Sequence, residues 1–265
     1  MAWKPLPIGI DDFGKIINGK YYYVDKTLFI RELLDMKGEV NLFTRPRRFG
    51  KTMSMLRYFF EQSPAGNQEF FKNLKIMDTG EEYLRHMGQY PVISLSLKSM
   101  KQYSYELAFE MLKKAVEGEF TRHWDEIEKS GKLSEAKLER YIRIRDLKGM
   151  EADYADSLKF LSECLYICTG KRSVILIDEY DVPLENAYFS GFYDRMVSLI
   201  RSLFESALKT NDSLEFAVVT GCLRISKESI FTGLNNLNVV SITTRSFAEY
   251  FGFTPEEVEQ MLADY

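Results

Sequence analysis

Short apolar runs recur along the chain at Val40–Thr44, Val92–Leu97, Val174–Ile177, Phe216–Thr220 and Val239–Ile242. Runs of this length, rich in branched side chains and set between polar stretches, predict buried strands. Between them the apolar spacing changes to threes and fours. Met196, Leu199, Ile200, Leu203, Phe204, Ala207 and Leu208 share one helical face, as do Met55, Leu56, Phe59 and Phe60. Strands that alternate with helices predict βαβ units, and hence a mostly parallel sheet with helices on both faces. The predicted class is α/β.

Tyr103 to Gly170 is too long for one crossover and reads as helical. Its part from about 103 to 150 is a helical insertion, dense in both charge signs between Lys113 and Lys148, with breaks at Gly131 and Gly149. Near the end, Thr254-Pro255-Glu256-Glu257 combines an N-cap, a proline at the first helical position and a capping-box glutamate. The expected division is a domain over 1–250 and, over 251–265, the start of a following helical subdomain in a longer protein. An ordinary C-terminal helix is the alternative for that last stretch.

Composition narrows the class. The chain has 265 residues, 45% of them hydrophobic and 28% charged, which excludes a disordered or collagen-like polymer. Its net charge of −4 confines any basic site to a local patch, because proteins living mainly on nucleic-acid backbone carry a positive excess. Three cysteines make no disulfide framework, and two histidines, His86 and His123, exclude sites that need several. Cys164 and Cys168 share a helical face with Leu161 and Leu165 and read as core. The N-terminus lacks the apolar core of a secretion signal and no run reaches the length of a membrane helix, so the expected location is the cytoplasm, with no membrane partner.

After the first strand comes Thr44-Arg45-Pro46-Arg47-Arg48-Phe49-Gly50-Lys51-Thr52, followed by a helix. Gly-Lys-Thr at a strand-to-helix turn is the chemical end of a phosphate-binding P-loop, or Walker A motif. Backbone N–H groups of Arg47 to Thr52 and the helix N-terminus would cradle phosphate oxygens. Lys51 would reach the β- and γ-phosphates of ATP, and the Thr52 hydroxyl would ligate Mg²⁺. The general pattern has another glycine five residues before Gly50, where this chain has Arg45. Pro46 removes a further N–H donor, so the guanidinium forks of Arg47 and Arg48 are the expected replacement. A basic surface loop is the competing reading of Arg45–Arg48, with nucleic acid as its ligand.

Val174-Ile175-Leu176-Ile177-Asp178-Glu179 ends an apolar strand in two carboxylates. This is a Walker B pattern, with Asp178 holding Mg²⁺ and Glu179 polarising the attacking water as general base. Thr220, closing the next strand, would sense the γ-phosphate. Arg224, just beyond it, would face that phosphate in cis or act as a finger on a neighbouring copy in a homo-oligomer. Solvated acids, an edge threonine and a surface ion pair are the respective alternatives. The order of elements predicts a P-loop NTPase, a three-layer α/β/α fold with roughly five strands and the nucleotide at their carboxyl ends.

With these residues in place, the chain resembles the AAA-ATPase-like family of predicted P-loop ATPases. The matching segments are Leu6–Phe13 (LPIGIDDF), Tyr23–Thr27 (YVDKT), Arg45–Thr52 (RPRRFGKT), Ile177–Pro183 (IDEYDVP), Thr220-Gly221, Lys227–Asn236 (KESIFTGLNN) and Tyr250–Thr254 (YFGFT). The resemblance implies that Arg45 is the family's own variant of the loop. It also implies ATP as nucleotide and, in longer members, a C-terminal PD-(D/E)XK nuclease domain through which nucleic acid would be met. Glu135-Ala136-Lys137 and Asp146-Leu147-Lys148 match that nuclease's acid-x-Lys tripeptide, but lie in the charged insertion and read as surface. Tyr21-Tyr22-Tyr23 reads either as stacking on adenine or as core packing. Three functions remain open: an ATPase, an ATP-binding switch with negligible turnover, and a nucleic-acid module using Arg45–Arg48.

Overall fold

In the computed structural model, which describes residues 4–44, 53–63, 65–222, 230–231 and 234–265, five strands form one sheet. They are β1 (Val40–Thr44), β2 (Val92–Ser96), β3 (Ser173–Asp178), β4 (Leu214–Gly221) and β5 (Leu237–Val240), in the order β2-β3-β4-β1-β5. The pairs β2·β3, β3·β4 and β4·β1 are all parallel. In register, Leu95, Ile177, Val219 and Leu42 form a row across the sheet. The alternate positions Val92, Val174, Leu176, Val218 and Phe43 are buried as well. Strands buried on both faces carry continuous apolar runs, which is why the strands are readable as such.

The fifth strand sits two residues earlier than its apolar run suggests. Ser241 and Thr244 explain the shift: Ser241 N–H donates to Thr244 Oγ1 at 3.0 Å and Thr244 N–H to the Ser241 carbonyl at 3.0 Å. Local hydroxyl bonds of this kind favour a turn over a ladder, and Ile242 is left exposed in it.

Among the described residues the α-helices are α1 (Phe13–Asn18), α2 (Leu28–Met36), α3 (Met53–Phe60), α4 (Glu81–Leu84), α5 (Tyr105–Arg122), α6 (Trp124–Ser130), α7 (Glu135–Arg145), α8 (Glu151–Ala155), α9 (Ser157–Thr169), α10 (Val182–Ser190), α11 (Tyr193–Leu208) and α12 (Pro255–Asp264). None is long and apolar enough to cross a membrane. The chain forms two compact units. One is built from described residues within Gly38–Thr44 and Pro91–Val239, the other from those within Met1–Lys37, Arg45–Tyr90 and Val240–Tyr265.

In the first unit, one face of the sheet joins α5, α9, α10 and α11 in a single apolar core. All seven residues of the α11 stripe are buried in it. Cys164 and Cys168 are buried there too, and burial pushes the Cys164 thiol up to about 12. The charged helix α5 closes the β2 side of the sheet. Ser94 N–H donates to Glu119 Oε2 at 2.8 Å, while the Val92 carbonyl accepts from Arg122 and, at 3.1 Å, from His123 Nε2. These two are outward-pointing backbone groups of β2, and three side chains of α5 and its C-cap satisfy them.

In the second unit, Met55, Leu56, Phe59 and Phe60 of α3 are buried, as the periodicity predicts. Phe13 is fully buried against Tyr23 and Phe71. Lys26 Nζ lies 2.5 Å from both Glu257 carboxylate oxygens and from the Glu249 carbonyl, tying YVDKT to the start of α12. That start has the capping box read from the sequence: Glu257 N–H donates to Thr254 Oγ1 at 3.3 Å and Thr254 N–H to Glu257 Oε2 at 2.9 Å.

Candidate functional site

Strand register brings the predicted acids and the predicted sensor together. Ile177 is level with Val219, so Asp178 and Thr220 follow side by side at the carboxyl ends of β3 and β4. On the other flank of β4, Phe43 is level with Thr220 and Thr44 with Gly221. β1 therefore ends beside Thr220 and Gly221. Arg45, Arg47, Arg48, Phe49, Gly50, Lys51 and Thr52, and likewise Arg224, lie outside the described residues.

Asp178 is half-buried, and its Oδ1 accepts from the Thr220 hydroxyl and, at 3.0 Å, from the Glu179 N–H. Its Oδ2 carries no hydrogen bond among the described residues. Thr220 itself is 3% exposed, so its hydroxyl is held in place by packing as well as by the bond. The Asp178 carbonyl accepts from Leu97 N–H at 3.0 Å, which fixes the tip of β3 to the end of β2.

Glu179 has φ +56°, the left-handed conformation. A non-glycine residue there costs about 1–2 kcal/mol and persists only where its surroundings impose it. The surroundings are visible in the next two residues. Tyr180 N–H donates to the Thr220 carbonyl at 3.0 Å, and Asp181 Oδ2 accepts from Cys222 N–H at 2.8 Å. Tyr180 and Asp181 are fully buried. Sequence reading missed both. The signals available for them were a third acid three residues after Asp178 and a glycine closing the neighbouring strand. At Gly221 an added Cβ would come within 2.3 Å of Tyr180 Cε1, so glycine there makes room for the ring.

The remaining candidates divide between the units. Glu135 and Lys137 lie on α7 and Asp146 at its C-cap, with Lys137 paired to Glu163 at 3.3 Å and Lys148 to Asp146 at 3.5 Å. They are helical surface residues. In the other unit, Ser54 opens α3 by donating to the Asp11 carbonyl at 2.8 Å and accepting from Phe13 N–H at 3.0 Å. LPIGIDDF is thus fastened to the helix that begins one residue after Thr52. The three tyrosines lie on no strand and part company: Tyr23 packs on Phe13, Tyr22 donates to Asp264 at 2.8 Å, and Tyr21 lines an open cleft with Ile10, Asp12 and Tyr58. His86 meets the Tyr90 hydroxyl at 2.5 Å.

A five-stranded, mostly parallel sheet flanked by helices is the P-loop NTPase α/β/α fold. The chain belongs to the predicted AAA-ATPase family, whose model matches residues 7–231. Membership implies NTPase-type chemistry with nucleotide and metal as cofactors. The chain is also 31% identical over 272 aligned positions to a protein of Azotobacter chroococcum mcd 1 described as an uncharacterized protein in the vnfD 5′ region. That alignment covers 99% of this chain and 46% of the relative, so the chain spans about half the relative's length. No solved structure matches it.

Proposed function

We propose that the chain binds ATP with Mg²⁺ and hydrolyses it, and that nucleotide state is passed to an attached or partner effector such as a nuclease domain. The observation that carries this reading is the junction of Asp178, Glu179 and Thr220, at strand ends adjoining the exit of β1. Lys51, with Arg47 and Arg48, neutralises the phosphates, and Phe49 and Gly50 contribute backbone N–H groups. Thr52 and Asp178 are the protein's ligands to the metal. Their small number suits Mg²⁺, which keeps several waters and takes one or two protein oxygens besides phosphate. The remaining Oδ2 of Asp178 fits that role, and among the described residues no group of three metal-binding side chains competes with it. Glu179 accepts the proton of the attacking water, and Thr220, whose hydroxyl proton goes to Asp178 Oδ1, senses the transferred phosphate through that carboxylate. Arg224 supplies charge in cis or, in an oligomer, to a neighbouring copy.

The test is ATP binding by the purified chain with and without Mg²⁺. Lys51→Ala is expected to weaken it strongly, since it removes the point charge on the β- and γ-phosphates. Unchanged affinity in a folded Lys51→Ala protein overturns the P-loop assignment. Arg47→Ala and Arg48→Ala are expected to cost ~1.5–3 kcal/mol of ATP affinity each where the side chain replaces a backbone donor. Spared ATP binding with weakened, less salt-sensitive RNA or DNA binding would assign the loop to nucleic acid instead.

A further inference from the structure

We infer that Asp181 is a positioning residue that holds the Glu179 carboxylate in its working place, an inference that rests on the hydrolytic reading above. Three residues of the β3 exit are stitched to two of the β4 end. Asp178 takes the Thr220 hydroxyl at one end, Tyr180 N–H takes the Thr220 carbonyl in the middle, and Asp181 Oδ2 takes Cys222 N–H at the other end. Glu179, inside this stitched segment, is the residue forced into the left-handed region. A strained backbone is kept only by constraints on both sides of it. Asp178 supplies the constraint before Glu179, and Asp181 supplies the far one after it.

Asp181 is suited to this by its burial and its bonds. Its side chain is fully buried, which removes it from direct contact with water or phosphate. Its backbone carbonyl accepts from Glu185 N–H at 2.9 Å and Leu184 N–H at 3.2 Å, so the same residue starts α10. The Tyr180 ring beside it is clamped between Gly221 and Phe231, the latter edge-on at 5.3 Å between ring centres. One residue therefore joins three pieces: by its carbonyl the helix after the base, by its carboxylate the end of the strand bearing the sensor, and by its place in the chain the turn that presents Glu179.

The experiment compares Asp181→Ala and Asp181→Asn with the wild-type chain by kcat, ATP Kd and hydrogen exchange at the Cys222 amide. Asp181→Ala is expected to lose Cys222 protection and about tenfold to a hundredfold in kcat, the scale of a small misplacement of a reacting group. ATP Kd should move less than about threefold, because the phosphate-binding segment is untouched. Asp181→Asn keeps an oxygen toward Cys222 N–H and should recover most of both losses. Should Asp181→Ala fail to fold, Gly221→Ala displaces the same segment through the Tyr180 ring and is expected to lower kcat in the same selective way. Lost Cys222 protection with unchanged kcat overturns the positioning role while the ATPase reading stands, as does equal loss of binding and turnover. A wild-type chain without Glu179-dependent turnover overturns the hydrolytic reading itself, and the positioning role with it.

Discussion

Two sets of carboxylates in the sheet-bearing unit are built on opposite terms. Glu119, on the insertion helix α5, and Asp153, on α8, each answer to arginines. Arg122 lies 2.5 Å from Glu119, and Arg140 and Arg143 each lie 3.2 Å from Asp153. Asp178 and Glu179, at the strand ends, appear in no ion pair among the described residues. The contacts described for Asp178 come from a hydroxyl and an N–H. The difference teaches how one residue type serves two ends. A guanidinium saturates a carboxylate's lone pairs and makes it a strut, whereas single hydrogen bonds orient it and leave capacity for a ligand.

The largest expected effect falls on the strand-end set. Glu179→Gln should leave ATP bound but lower hydrolysis by ~10²–10⁴-fold, with the denaturation midpoint unmoved, because shape is kept and the base is lost. Steady-state turnover beside a urea titration measures both. If the wild type shows no turnover above this mutant, the chain is a binding switch. The reverse pattern belongs to Glu119. Glu119→Ala strips a partner from Arg122 and leaves the Ser94 N–H unsatisfied, so urea denaturation should register a loss of ~2–3 kcal/mol. ATP affinity should stay within error. Should the two mutants show the same profile, the contrast drawn between the sets is false.

A smaller effect sharpens the contrast from the backbone side. Glu179→Gly relieves the left-handed strain, so it should abolish turnover while stability holds or rises by up to ~1 kcal/mol. A clear loss of stability would mean that the glutamate side chain is itself a strut. The smallest effect is one of pH. Burial alone would raise the Asp153 carboxyl, but the hydrogen bonds and charges of Arg143, the Met150 N–H and Arg140 outweigh it and hold the group below its ordinary value of 3.8. A depressed acid contributes stability above the unfolded value, lost as pH falls through the folded one. Asp153→Asn should therefore flatten the fall in stability below about pH 4, a test made by thermal unfolding across pH 2–6.

The sequence made the strands and the chemistry legible for one reason: both are local patterns. An apolar run buried on two faces, an acid pair ending such a run, and Thr-Pro-Glu-Glu before a helix each depend on neighbours in the chain. What escaped notice depends on register. The Asp181–Cys222 bond joins residues far apart in sequence. The seats of Glu119, Arg122 and His123 on β2 look, residue by residue, like any solvated helical face. β5 was misplaced because its apolar run continues past the point where serine and threonine hydroxyls turn the chain.

The same three side chains on β2 have a consequence for the protein in crowded solution. A bare outer strand offers unpaired donors and acceptors to any other extended chain, and sheet-to-sheet fusion begins there. Here the Ser94 N–H is already taken by a carboxylate, and the Val92 carbonyl by a guanidinium and an imidazole. With that donor and that acceptor occupied, α5 and its C-cap leave the outer strand a poorer template for a neighbour's.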